Sequence, residues 1–241
     1  MTRTFKVLSG LLSYPTADMQ AAMPEFTEAI NQEALLPAAI RRQLDLLLNE
    51  IVTGDLYDLQ ERYVMLFDRT RSLSLHLFEH VYGESRDRGQ AMIDLKALYE
   101  TGGLEIDAAE LPDFVPLFLE FLSTRPRPEA YELLGQPAHV LAAMAERLRK
   151  RQSAYEAVFR ALVQLAATKP KADVVSALLA EPDPDANDLA ALDAAWEDEP
   201  VHFGPNANGG CRDTLIEKIR AGRRPAPGVT QAQPRPVMPR S

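Results

Sequence analysis

Residues 37–52 read PAAIRRQLDLLLNEIV, and Ile40, Leu44, Leu47, Leu48 and Ile51 recur there at spacings of three and four. That period places all five on one face of an α-helix and leaves the charged residues on the other. The same pattern continues outward in both directions. In residues 55–68, DLYDLQERYVMLFD, the apolar positions are Leu56, Leu59, Tyr63, Leu66 and Phe67, with Asp55 placed to cap the helix after Gly54. Residues 84–103, ESRDRGQAMIDLKALYETGG, align Met92, Leu95 and Tyr99 and end in a glycine pair suited to stopping a helix. LPDFVPLFLEFLS (111–123) predicts a further helix with Pro112 and Pro116 in or near its first turn, where a missing N–H costs nothing. PAHVLAAMAERLRKR (137–151) and SAYEAVFRALVQLAA (153–167) predict two long amphipathic helices. Alternating strand patterns bounded by turns are absent. The expected fold is all-α, a single helical bundle.

The composition changes near the C-terminal end. From Glu181 to Pro200 the chain is acidic and holds no Lys or Arg, and AGRRPAPGVTQAQPRPVMPRS (221–241) is rich in Pro and Arg with too few apolar residues for a core. The expected organisation is a packed body over 1–180, an acidic, partly ordered extension over 181–220 and a disordered tail over 221–241. A body of this size buries roughly 70% of its unfolded surface and needs no metal or disulfide. The lone Cys211 cannot form an internal bridge, which suits a reducing compartment. The opening MTRTFKVLSGLLSYP is broken by polar residues, so neither a cleaved leader nor a membrane span is expected, and a cytoplasmic setting follows. A formal charge of −9 argues against general nucleic-acid affinity and favours basic partners.

One catalytic pattern stands out. His76-Leu77-Phe78-Glu79-His80 matches H-x-x-E-H, a zinc-hydrolase signature. A zinc site also needs a third ligand and an open position for water. Leu73, Leu75, Leu77, Phe78 and Val81 enclose the pair, and the chain lacks the strands of such enzymes, so the pattern reads as an accident inside a helix. No phosphate-cradling glycine loop occurs, and Cys211 with His202 lacks a second shell to orient a base. No catalytic residue, metal or cofactor is assigned.

What remains is a density of polar groups at the predicted helix junctions. FDRTRSLS holds Asp68, Arg69 and Arg71; GESRDRGQ holds Glu84, Arg86, Asp87 and Arg88; AAELPDF holds Glu110 and Asp113. Most of these suit helix caps and ion pairs, Glu84 with Arg88 being an i,i+4 pair. Taken together they also describe a polar rim around an apolar groove for a partner helix with basic ends, with Tyr63, Phe67, Tyr82 and Phe114 as aromatic anchors.

At these residues the sequence resembles the NarJ-type chaperones that assemble respiratory nitrate reductase, a branch of the redox-enzyme maturation chaperones. RYVMLFDRTRSLSLHLFEHVYGESRDRGQAMIDL, LYETGGL and ELPDFVPLFLEFLS carry the likeness, which runs from Leu12-Ser13-Tyr14-Pro15 to Gly210-Cys211. The resemblance implies a non-catalytic, cytoplasmic, all-helical chaperone. Its client would be the apo catalytic (α) subunit of nitrate reductase, chiefly its N-terminal segment. It would keep the αβ complex competent for molybdenum cofactor insertion before membrane docking, with transient contact to the cofactor delivery machinery. The resemblance implies a partner surface at Arg69, His80, Glu84, Arg86, Glu110, Pro112 and Asp113, with Glu110 and Asp113 favouring the client's basic end. Family members often carry a second histidine where Tyr82 stands and a His-Leu pair where Phe114-Val115 stand, so this member's site is more apolar. The alternatives are an adaptor for a different molybdoenzyme client and a zinc metallohydrolase using HLFEH.

Overall fold

The periodic face of residues 37–52 becomes the inner face of α3 (Ala38–Thr53), where Ile40, Leu44, Leu47, Leu48 and Ile51 are all buried. The computed structural model describes residues 1–82, 87–106, 110–181 and 183. Among them run eleven α-helices and no strand, as the all-α expectation has it. Before α3 come α1 (Arg3–Leu11) and α2 (Ala17–Glu33), and after it α4 (Leu56–Phe67), the short α5 (Leu77–Tyr82), α6 (Asp87–Thr101) and α7 (Val115–Thr124). The series ends with α8 (Arg127–Leu134), α9 (Ala138–Lys150), α10 (Glu156–Leu165) and α11 (Ala172–Leu179). α1 packs on α2 and α7, and α10 packs on both α9 and α3. Phe5, Leu8, Leu44, Ile51, Leu122, Leu148, Phe159 and Leu162 have no solvent exposure and form the centre of one continuous core. Each such side chain contributes about 1.5–3 kcal/mol through burial. The acidic extension and the tail lie outside the described residues, apart from Glu181 and Asp183.

Local signals in the sequence act as they should at several helix ends. Asp55 caps α4, accepting the N–H groups of Tyr57 at 2.9 Å and Asp58 at 3.4 Å. Gly103 adopts φ +80° after α6, and the Leu104 N–H then reaches back to the Tyr99 carbonyl at 2.9 Å. That left-handed residue is what lets the chain close the helix end. The start of α1 is capped from a distance. Thr2 makes no side-chain cap, and Glu33, at the end of α2, accepts the N–H groups of Arg3 (2.7 Å) and Thr4 (2.8 Å) and the Thr4 hydroxyl (2.7 Å).

Three helices differ from the sequence expectation. α7 begins at Val115, so Pro116 sits in its first turn as expected while Pro112 lies outside it. The reason is a short antiparallel bridge between His76 and Phe114. Leu77 donates its N–H to the Asp113 carbonyl at 3.1 Å and Val115 donates to Leu75 at 2.9 Å, which holds Phe114 extended just ahead of α7. The same bridge removes His76 from the helix that HLFEH was expected to form, and α5 starts only at Leu77. α10 begins at Glu156, because Gln152 at φ 54° turns the chain after α9.

Asp113 joins these two segments. Its side chain has no solvent exposure, its Oδ2 accepts the Phe78 N–H at 3.0 Å, and its Oδ1 meets His76 Nδ1 at 3.2 Å. A helix of six residues cannot hold its own first turn, and this buried carboxylate caps it. The hydrogen bond to Asp113 raises the His76 pKa, against the opposing pull of burial. Asp113 was expected on the client-facing rim; buried with both oxygens engaged, it is instead what shapes that region.

Replacing Asp113 with Ala should destabilise the protein by about 2–4 kcal/mol, because the Phe78 N–H and the His76 imidazole lose a buried partner. Glu33→Ala should cost about 1–2 kcal/mol through the lost cap of α1. Urea denaturation followed by circular dichroism measures both. The His76 clamp also sets a pH dependence. A raised folded-state pKa means its stabilisation is complete below the ordinary histidine value near 6.5 and is lost as pH rises through the folded value. The stability difference between the wild type and His76→Gln should therefore be largest in mild acid and shrink on the alkaline side; a difference independent of pH would show that the clamp does not depend on the proton.

Candidate functional site

Beside the bridge, α4, the segment after it and the end of α1 leave an open groove of about 840 Å³. Tyr63 and Phe67 form its floor and are almost wholly buried. They belong to a run of edge-on aromatic contacts that leads from the surface into the core. Tyr14 meets Tyr63 at 5.6 Å, Tyr63 meets Phe67 at 5.1 Å and Phe67 meets Tyr155 at 5.1 Å. The Tyr63 hydroxyl donates to the Leu12 carbonyl at 2.7 Å, and burial, reinforced by Tyr155, Asp68 and Glu110, raises its pKa strongly, so the phenol stays neutral. Burial likewise pushes the Tyr155 pKa up to about 12. The floor is therefore apolar, rigid and uncharged.

One wall is built from Thr70, Arg71, Ser74, Leu75 and His76. Phe114 stands beside it, half-buried, with its ring 5.4 Å from the His76 imidazole. The mouth carries the exposed acids Asp68 and Glu110 and the half-buried Glu79, which pairs with Arg88 at 3.4 Å. Among the described lining residues three carboxylates stand against Arg71 and His76, and with Glu79 paired to Arg88 the unpaired acids of the opening are Asp68 and Glu110.

The expected site residues divide into three groups. Tyr63, Phe67, Glu110 and Phe114 line the groove. Arg69, His80, Pro112 and Asp113 do not. Arg69 is exposed just beyond the lining residues. Pro112 gives its carbonyl to the Tyr99 hydroxyl at 2.7 Å. His80 turns inward, where Nε2–H donates to the Ser74 carbonyl at 2.8 Å and burial lowers its pKa, leaving a neutral ring that supports the wall. The backbone of Tyr82 ends α5, while its side chain, Glu84 and Arg86 lie outside the described residues.

Sequence reasoning missed Tyr14, His76 and Glu79 as lining residues, whereas Asp68 and Arg71, read as part of the polar rim, do line the groove. Tyr14 sits in a loop between α1 and α2, and nothing local marks it as facing α4. HLFEH drew attention to His76 and Glu79 for the wrong chemistry. Both imidazoles of that motif are committed to protein hydrogen bonds, and among the described residues no cluster of His, Cys, Asp or Glu is arranged to hold a metal ion. His202 and Cys211 lie outside the described residues. No helix among the described residues is long and apolar enough to cross a membrane.

Comparison with known proteins bears on the whole bundle. Residues 17–161 match the model of the family described as nitrate reductase delta subunit. The chain is 44% identical over 210 residues to the nitrate reductase molybdenum cofactor assembly chaperone NarJ of Escherichia coli (strain K12), covering 87% of this chain and 88% of that protein. It is 41% identical over 201 residues to the probable nitrate reductase molybdenum cofactor assembly chaperone NarW of the same organism, covering 82% of each chain. With the probable chaperone NarJ of Bacillus subtilis (strain 168) it shares 32% identity over 164 residues, 66% of this chain and 86% of that one. A family model spanning more than half the chain, and relatives alike over nearly their full length, agree with the helical fold and with the sequence motifs that surround the groove. The chain belongs to the NarJ-type family of nitrate reductase molybdenum cofactor assembly chaperones.

Proposed function

We propose that the groove binds the N-terminal segment of the apo catalytic (α) subunit of respiratory nitrate reductase. Membership of the family makes the protein a system-specific assembly chaperone and not an enzyme. On our reading it acts in the cytoplasm, holds the αβ complex competent for molybdenum cofactor insertion and delays docking to the membrane subunit. Transient contact with the cofactor delivery machinery belongs to the same reading.

The observation that carries it is the pairing of an aromatic floor with an acidic mouth in one open groove. An amphipathic helix laid in such a groove buries its apolar face on Tyr63, Phe67 and Phe114, and its basic end meets Asp68, Glu79 and Glu110. The aromatic contacts supply affinity; the exposed acids speed encounter and set orientation. A client that must later be released calls for moderate affinity, and micromolar binding corresponds to about −8 kcal/mol. Asp68 and Glu110 are exposed, so their loss should leave folding intact.

The test is a calorimetric titration with a synthetic peptide matching the N-terminus of the host's own nitrate reductase catalytic subunit. Saturable one-to-one binding is the expected result, and absence of heat at two temperatures would falsify the peptide reading. In the same assay Glu110→Lys should weaken binding roughly tenfold while the circular dichroism stays unchanged. An unaltered affinity in a folded Glu110→Lys variant removes that residue from the site. If the peptide fails, co-purification from cells identifies whether a folded surface of the subunit, or a different molybdoenzyme, is the client.

A further inference from the structure

The wall of the groove is held from outside itself. Within residues 70–76 the backbone makes only long bonds of its own, Leu73 to the Thr70 carbonyl at 3.3 Å and Ser74 to the Arg71 carbonyl at 3.2 Å. The Leu75 carbonyl is taken by the Val115 N–H at 2.9 Å and the His76 N–H by the Ser74 hydroxyl at 3.2 Å, while the Ser72 and Ser74 carbonyls are taken by side chains from other elements. His80 holds the Ser74 carbonyl, as described above. Arg147, in the last turn of α9 and only 2% exposed, donates from Nη1 to the Ser72 carbonyl at 2.8 Å. From Nη2 it donates to the Leu178 carbonyl near the end of α11 at 2.7 Å. One buried guanidinium thus ties the groove wall to the place where the chain leaves the last helix.

Just beyond that point lies Asp183. Its Oδ1 accepts the Ser72 hydroxyl at 2.5 Å and the Arg151 Nη2 at 2.5 Å, while the same Arg151 nitrogen lies 3.4 Å from Ser72 Oγ. Ser72 is itself buried, so its hydroxyl is a polar group that needs a partner inside the protein. Asp183 supplies it, together with a negative charge beside two arginines. Burial lowers the Arg147 pKa, and Asp183 and Glu181 are the charges that oppose the effect. The acid that completes this cluster is therefore also what makes a buried cation at Ser72 tolerable.

We propose that Asp183 is a positioning residue for the groove: through Ser72 and Arg151 it fastens the segment after α11 onto residues 70–76 and so fixes the wall that Thr70, Arg71, Ser74 and His76 present. Without Asp183 the end of the wall at Leu75 and His76 is still held by Val115 and Asp113, while its start at residues 70–74 keeps two long backbone bonds and the Arg147 and His80 props. The charge-assisted pair at Ser72 adds the constraint that comes from the C-terminal side.

Amide hydrogen exchange on the full chain tests this with no client present, so its outcome is separate from that of the peptide titration. Asp183→Ala should speed exchange at the Leu73, Ser74 and His76 amides by roughly tenfold, with the Leu162 and Leu165 amides of α10 unchanged. Asp183→Glu keeps the carboxylate and should restore most of the protection. Arg149→Ala, which removes an exposed ion pair with Glu146 on the same helix, should have no effect on the wall. Unchanged protection of residues 73–76 in Asp183→Ala overturns the proposal. So does a loss that spreads equally to α10, or one that Asp183→Glu fails to restore, since either would make the residue a general stabiliser.

Discussion

The groove depends on one buried carboxylate. Asp113 has no exposure, yet it receives a backbone N–H from the first turn of α5 and an imidazole from the segment before it. Removing a carboxylate from water costs several kcal/mol, and these partners together with the His76 charge offset that cost. In return, two loops far apart in sequence are locked as a short antiparallel bridge. The bridge sets where α5 and α7 begin and brings His76 against Phe114. Without it the half-buried Phe114 would have no fixed place beside the groove, and the short α5 would lose its cap.

The two histidines of HLFEH show how far environment overrides motif. His76 faces a carboxylate and is pushed toward the charged form; His80, four residues on, faces a carbonyl in a dry setting and is pushed toward the neutral one. Each is matched to the group it holds, since a charged ring suits Asp113 and a neutral Nε2–H suits the Ser74 carbonyl. A zinc site would need both rings to turn a bare nitrogen toward a common point. Here each ring is used to build the wall of the groove.

On the proposed reading, affinity and stability share residues on the floor but not at the mouth. Phe67 lines the groove and also packs against Tyr155 and Phe159, so truncating it would damage the core and the site together. The floor is therefore as rigid as the bundle itself, which lowers the entropy cost of receiving a partner. Asp68 and Glu110 are exposed and make no such double contribution. On the proposed reading the charge of the mouth can change, and with it the choice of client, at little cost in folding.

The helical class, the buried face of α3, the Asp55 cap and the Gly103 stop follow from period and local chemistry, because each depends on residues within a few positions of one another. Tyr63, Phe67 and Glu110 were legible as groove residues for a similar reason, since aromatic and charged residues at helix junctions form a pattern along the chain. The tertiary structure alone decided the rest. Asp113 looked like one more acid on a polar rim until α5 and α7 came together around it. Tyr14 faces the groove because the loop after α1 meets Tyr63 of α4, and Arg147, at the basic end of α9, is buried against the Ser72 carbonyl. These roles arise from contacts between segments separated by tens of residues, and no periodicity or short motif encodes which distant backbone group a side chain will meet.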